Sequence, residues 1–231
     1  VLRRASMGEM ASALAHELSQ PLAVIVNYAN GLLRRLDTEQ ESPEHLKTVL
    51  AQIRDAGERS KEIISHVRNF VSLGQPAVQK ESLQSIFQKV QQLLQESINQ
   101  QNIRVEMNFP PDGTDVLASR IEIEQVVFNL FKNSIDALTL SQTKSPLIRV
   151  RVEPLTDRFF EIHVQDNGPG VDGAIVDDIF KPYVTNKQTG LGMGLSISQT
   201  IIEGHGGSLT LVDPENSGGC FRFTLSRFPS E

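Results

Sequence analysis

Apolar positions recur at spacings near three and four along the first stretch, to about residue 36: Met7, Met10, Leu14, Leu18, Leu22, Ile25, Leu32 and Leu36, with Ala29 bridging the longest gap. One apolar stripe at this spacing predicts a long helix. Asp37-Thr38-Glu39-Gln40-Glu41-Ser42-Pro43 breaks the pattern, with Ser42 a good N-cap and Pro43 a good first helical residue. A second stripe follows through Leu46, Leu50, Ile53, Ile64, Val67 and Val71, with Ala56 and Gly57 between. Two long helices on a short loop pack as an antiparallel hairpin. A lone hairpin offers each stripe only one partner, so a second copy completing a four-helix bundle would bury the remainder.

Leu73-Gly74-Gln75-Pro76 closes the hairpin and marks the boundary between a unit over 1–73 and a unit over 78–231. Beyond it, Leu83 to Gln101 predicts a helix and Ile103 to Phe109 alternates like a half-buried strand. Pro110-Pro111-Asp112-Gly113 is a turn. Ser119 caps a helix reaching about Leu140, with Glu122 positioned for a capping box. Strands are predicted near Leu147–Glu153 and Phe159–Gln165, then a glycine-rich irregular stretch from Asp166 to Gly194. A helix near Leu195–Glu203 and strands near Ser208–Val212 and Cys220–Ser226 finish the chain. The fold class is α+β: a helical hairpin followed by a layered unit of helices on a mixed sheet.

Composition narrows the function. With 231 residues, two unequal units fit the usual domain size of about 150. Hydrophobic residues at 39% are enough for a core. Acidic residues outnumber basic ones 28 to 22, and aromatics are only 6%, so a nucleic-acid partner is not favoured. Cys220 is the sole cysteine, which excludes an intrachain disulfide and a cysteine-rich metal centre. His45, His66, His163 and His205 form no ligand spacing with it and read as structural or solvated. The longest clean apolar run, Pro21 to Val26, is far below the roughly 20 residues of a membrane-spanning helix. The chain opens Val1-Leu2-Arg3-Arg4 and reads as a piece of a longer protein.

Four clusters carry chemistry. In Ala15-His16-Glu17-Leu18-Ser19-Gln20-Pro21, His16 points away from the apolar stripe. An exposed imidazole with one bare nitrogen is a nucleophile. Glu17 can hold the other ring proton, and Gln20 shares the face of His16 at i+4. Pro21 interrupts the helical hydrogen bonding one turn later. Next, Asn129, Asn133 and Asp136 share one helix face, an arrangement that equally suits a binding face or inter-helix hydrogen bonds; an amide oxygen is a reasonable hard ligand for Mg²⁺. Third, Asp166-Asn167-Gly168-Pro169-Gly170 follows a strand and reads either as an ordinary turn or as a site whose carboxylate accepts from an exocyclic amine beside glycines that let a flat ring approach. Last, Gly190-Leu191-Gly192-Met193-Gly194-Leu195 enters a helix, where backbone N–H groups can converge on phosphate. It lacks the lysine and hydroxyl ending of a Walker A loop.

In this order, over roughly residues 5–228, the clusters resemble the sensor histidine kinases of two-component signalling. His16-Glu17 with Gln20-Pro21 resembles the H box of the nitrogen-regulation, oxygen-sensing and dicarboxylate-sensing kinases. Asn129 to Ala137 resembles the N box, Asp166 with Gly168 and Gly170 the G1 box, Phe180-Lys181-Pro182-Tyr183 the F box, and Gly190 to Gly194 the G2 box. Ser19 stands where asparagine is common and Tyr183 where phenylalanine is usual. The resemblance implies a dimerisation and histidine-phosphotransfer hairpin, then an ATP-binding α/β sandwich shared with gyrase-type and chaperone-type ATPases. It implies ATP and Mg²⁺ as cofactors, with Asn133 a Mg²⁺ ligand and Asp166 on the adenine amine. It implies that Asn129, Asp136, Leu195 and the box glycines belong to the same nucleotide site, that Lys132 and Lys187 are candidate phosphate contacts, and that Val171 to Thr189 is the lid. His16 would be autophosphorylated with Glu17 as base or orienter, Gln20 would orient a water for phosphatase chemistry, and the phosphoryl group would pass to an aspartate on a response-regulator receiver domain. It further implies a homodimer and a cytoplasmic fragment, with the sensor and any inner-membrane anchor outside this chain. The alternatives are a docking or phosphatase-only module, and a related ATPase or serine kinase.

Overall fold

The computed structural model describes residues 2–36, 42–71, 77–182, 184–185, 192–212 and 218–229; the side chains of 2–17, 36, 58–59 and 61–71 lie outside the description. The chain divides into two compact units, Val1–Gln75 and Pro76–Glu231.

The first unit is two helices, α1 (Leu2–Leu36) and α2 (Pro43–Val71), packed against each other as a hairpin. Ser42 caps α2 as expected, its Oγ accepting from the His45 N–H at 3.2 Å, and Pro43 is the first helical residue. Helix α1 runs through Pro21, which has no N–H to donate. Leu32, Val49 and Ala56 are buried between the helices. Leu22 and Leu50, both on the expected stripes, are instead 46% and 51% exposed, alongside Val26 and Leu33 at 55% and 60%. The reason is geometric: two helices cover only one side of each other, and the remaining apolar surface faces outward.

The second unit contains β1 (Gln79–Ser82), α3 (Leu83–Leu93), α4 (Gln95–Gln100), β2 (Arg104–Asn108), β3 (Asp115–Ala118), α5 (Arg120–Leu140), β4 (Leu147–Pro154), β5 (Phe159–Asp166), α6 (Gly194–Gly204), β6 (Leu209–Leu211) and β7 (Cys220–Ser226). Its main sheet has the order β2-β4-β5-β7-β6, with β2 and β4 parallel and the other neighbours antiparallel. Alternation along each strand sends Ile148, Val150 and Val152, Phe160, Ile162 and Val164, and Phe221, Phe223 and Leu225 to a buried face. Helices α3, α5 and α6 supply the other half of this core through Ile86, Phe87, Val126, Leu130, Phe131 and Ile202. Phe87 sits at the centre, tilted against Phe131 at 6.1 Å and Phe109 at 6.0 Å.

Three elements differ from the sequence reading. The helix expected over 83–101 breaks at Leu94 into α3 and α4. Strands β1 and β3 pair antiparallel although Gln79-Lys80-Glu81-Ser82 has no apolar alternation; the pairing is with chain more than thirty residues away. Ser119 caps α5 through its hydroxyl, yet its own N–H goes to His205 rather than to Glu122, so only half of the expected capping box forms.

Candidate functional site

Asp166 ends β5 and is buried. Its Oδ1 accepts from the backbone N–H groups of Gly168 at 2.9 Å and Gly219 at 3.1 Å, and its Oδ2 accepts from the Ser134 hydroxyl at 3.0 Å. A carboxylate offers about four acceptor positions. Three are filled, and the remaining one is on Oδ2. The surroundings are shaped for close approach: a Cβ on Gly168 would stand 2.9 Å from Oδ1, and one on Gly219 3.1 Å from Oδ2. Asn167 anchors the loop beside it, accepting from the Leu147 N–H at 2.7 Å and donating to the Ser145 carbonyl at 3.1 Å. Gly170 then turns the chain at φ 81°, a region that favours glycine.

Helix α5 passes along this loop. Ser134 faces Asp166, and Lys132 and Asp136, two residues to either side of it, pair at 2.8 Å. Asn133 is half-buried on the same side chain row as Asn129. Asn129 itself is buried, and its amide donates to the Gly194 carbonyl at 3.1 Å and the Ser198 hydroxyl at 3.2 Å. That pair of bonds fastens α5 to the first turn of α6. Gly192 adopts φ 64° just before this turn, and Met193 in the N-cap position makes no side-chain cap. The first N–H groups of an α-helix have no intrahelical partner, so the start of α6 presents donors suited to an anion.

Two domain profiles match. The His Kinase A (phospho-acceptor) domain covers residues 6–76, and the histidine kinase-, DNA gyrase B- and HSP90-like ATPase domain covers residues 118–229. Sensor protein FixL of Bradyrhizobium diazoefficiens is 37% identical over 227 residues, covering 97% of this chain and 44% of that protein. This chain belongs to the sensor histidine kinases. Sensor protein TdiS of Thauera aromatica is 35% identical, covering 95% of this chain and 40% of that protein. The chain therefore spans less than half the length of these relatives. The crystal structure of histidine kinase ThkA in complex with response regulator protein TrrA matches 98% of this chain and 64% of that chain, with 26% identity and a TM-score of 0.75. A separate ThkA catalytic domain matches 65% of this chain and 95% of that chain, with 28% identity and a TM-score of 0.58.

Within this histidine-kinase chain, the second unit brings together Asn129, Lys132, Asn133, Asp136, Asp166, Gly168 and Gly170, with Gly192, Gly194 and Leu195 at the start of α6. Lys187 and Gly190 lie outside the described residues, as does Tyr183. His16 and Glu17 fall inside α1 by backbone, with their side chains outside the description; Gln20 is exposed on the same helix. The expected lid, over 171–189, is anchored near its middle. Ile179 is buried, Phe180 meets the edge of Phe221 at 6.5 Å, and a short 3-10 turn runs Val176–Asp178. Asp178 bonds Lys181 at 2.6 Å and raises the pKa of its ammonium group. The sequence reading missed Ser134, Gly218 and Gly219. The dipeptide Gly218-Gly219 was visible ahead of a predicted strand; the signal for its role is spatial, because only pairing of β5 with β7 puts it against Asp166. Among the described residues there is no cluster of metal-binding side chains and no helix long and apolar enough to cross a membrane.

Proposed function

We propose that this chain is the catalytic core of a sensor histidine kinase, which uses ATP to phosphorylate His16 and then passes the phosphoryl group to an aspartate of a response-regulator receiver domain. The observation that carries the reading is the Asp166 site: a buried carboxylate held by three donors, with one acceptor position left on Oδ2 and glycines opening the space beside it. Such a position suits the exocyclic amine of adenine. The uncapped start of α6, after Gly192, then suits the phosphates, with Gly190, Gly194 and Leu195 contributing backbone. Lys132, now bonded to Asp136, and Lys187 supply positive charge there.

Asn133 is assigned to hold Mg²⁺ through its amide oxygen, which fits that ion's preference for neutral and anionic oxygen donors completed by water and phosphate. When bound, the ion offsets charge building on the phosphate oxygens. The bare ring nitrogen of His16 attacks the γ-phosphorus in line, the bond to the bridging oxygen breaks, and ADP leaves. Glu17 accepts a hydrogen bond from the other ring N–H, which fixes the tautomer whose attacking nitrogen is bare, and takes up positive charge or the proton as the N–P bond forms. Gln20, exposed one turn later, orients water for the reverse dephosphorylation of the regulator. Asn129 acts by fixing α6 against α5.

Residues 1–73 are assigned the dimerisation and phosphotransfer role and residues 78–231 the nucleotide-binding role. The exposed Leu22, Val26, Leu33 and Leu50 support a second copy packing on the hairpin to complete a four-helix bundle. The names of the relatives, sensor proteins of more than twice this length, support a sensing region elsewhere in the full protein. The test is label transfer from γ-labelled ATP with Mg²⁺, in wild type and His16→Ala. Acid-labile, base-stable label that disappears in the variant is expected. Label persisting in His16→Ala overturns the assignment.

A further inference from the structure

We infer that His205 is a positioning residue that sets the reach of α6 toward the phosphates, acting through the N-terminus of α5. This rests on the nucleotide reading above. The imidazole is nearly enclosed, with 4% of its side chain exposed. Its Nε2 accepts from the backbone N–H of Ser119 at 3.0 Å. The proton therefore sits on Nδ1, which donates to the Ile201 carbonyl at 2.8 Å. One ring thus closes the end of α6 and receives the first donor of α5 at once.

The second fastening between the same helices is Asn129, bonded to Gly194 and Ser198. From Ser119 to Asn129 the chain rises about 15 Å along α5, and from Gly194 to His205 it rises about 16 Å along α6. The two helices run antiparallel, and matched spans let both pins engage together. A helix held at one end only can pivot; held at both, its axial position is defined. What projects beyond the Asn129 pin is the start of α6, with the N–H groups assigned to the phosphates, and Asn133 one turn further along α5. Asp166 is held differently, by Ser134, Gly168 and Gly219, none of which belongs to α6. The adenine half therefore touches this pair of helices only through Ser134, fifteen residues along α5 from Ser119, whereas the phosphate half rests on α6 itself and depends on His205.

The Glu122 carboxylate lies 3.6 Å from Nε2, beyond hydrogen-bond reach. In a capping box this N3 carboxylate would take the N-cap N–H. Here the histidine has replaced it, converting a bond within α5 into a bond between helices.

The test measures binding of two probes to the whole chain by calorimetry: AMP-PNP with Mg²⁺, and adenosine. The variants are His205→Leu, which removes both bonds, His205→Asn, which reaches only the Ile201 carbonyl, and His205→Gln, whose longer amide reaches Ser119. Expected is a fivefold or greater loss of AMP-PNP affinity in the Leu and Asn variants, adenosine affinity within twofold of wild type, and recovery of AMP-PNP affinity in the Gln variant. If the Leu variant does not fold, the Asn and Gln pair decides. Equal loss for both probes would make His205 a general stabiliser and overturn the inference. Unchanged AMP-PNP binding in His205→Asn would overturn it too. Wild type binding neither probe would instead defeat the nucleotide reading, and this inference with it.

Discussion

Asp166→Asn isolates one hydrogen-bond position at nearly constant shape. In the wild-type site Oδ1 accepts from two backbone N–H groups and Oδ2 from the Ser134 hydroxyl. An asparagine has two possible orientations. With its NH₂ toward Gly168 and Gly219, two buried donors would face a donor, at about 1–3 kcal/mol each. The carbonyl oxygen therefore takes the Oδ1 place, and the NH₂ takes the Oδ2 place. One of its protons can go to Ser134, whose hydroxyl turns to accept. The other points where the adenine amine was to donate. The variant keeps its internal bonds and loses a charge-assisted bond to ligand, about 1.5–3 kcal/mol. That is about a 10- to 150-fold loss in ATP affinity. The same change should favour a ligand with an acceptor at that ring position, so ITP should approach or overtake ATP. Calorimetric titration of both nucleotides checks this, with thermal melting as the control for folding. ATP affinity within twofold of wild type, in a folded variant, would refute the assignment of Oδ2.

Other outcomes follow from the same contacts. Gly218 sits at φ 107°, and a Cβ there would fall within the envelope of the Asp166 carbonyl oxygen, so Gly218→Ala should cost about 2 kcal/mol or more, read as a lowered melting temperature. Phe131→Ala empties a fully buried site against Phe87 and should cost about 3–5 kcal/mol in denaturant unfolding. Burial, then the Asp166 charge, push the Cys220 thiol pKa up, so its thiolate forms at higher pH than in an exposed cysteine. Alkylation in the folded chain should therefore be slow at neutral pH and rise at higher pH than after denaturation; equal rates in both states would contradict this.

The hairpin and the main sheet were legible because their periodicities are strong. Ser42-Pro43 announces the start of α2, and β4, β5 and β7 alternate cleanly enough to be found within a residue or two. Strand β1 was not legible: Gln79-Lys80-Glu81-Ser82 is polar and becomes a strand only because β3 offers it a ladder. The boxes mark the residues proposed to bind nucleotide, yet not how they are held. Asp166 depends on Ser134 and Gly219, which are 32 and 53 residues away in sequence. Asn129 stands in the N box by sequence, and its NH₂ donates to the Gly194 carbonyl and the Ser198 hydroxyl. Long-range bonds of this kind leave no periodic trace. The same holds for His205, which looks like an ordinary histidine until Ser119 is placed beside it.

The central claim, that phosphate moves from ATP to His16, is tested most directly by mapping the phosphorylated peptide. The chain would be incubated with ATP and Mg²⁺, digested at neutral pH, and its phosphopeptides sequenced by mass spectrometry under conditions that preserve phosphohistidine. The account predicts a single major phosphoryl group on His16, removed when a receiver domain is added. Phosphate on Ser19 or another hydroxyl, with His16 unmodified, would contradict it.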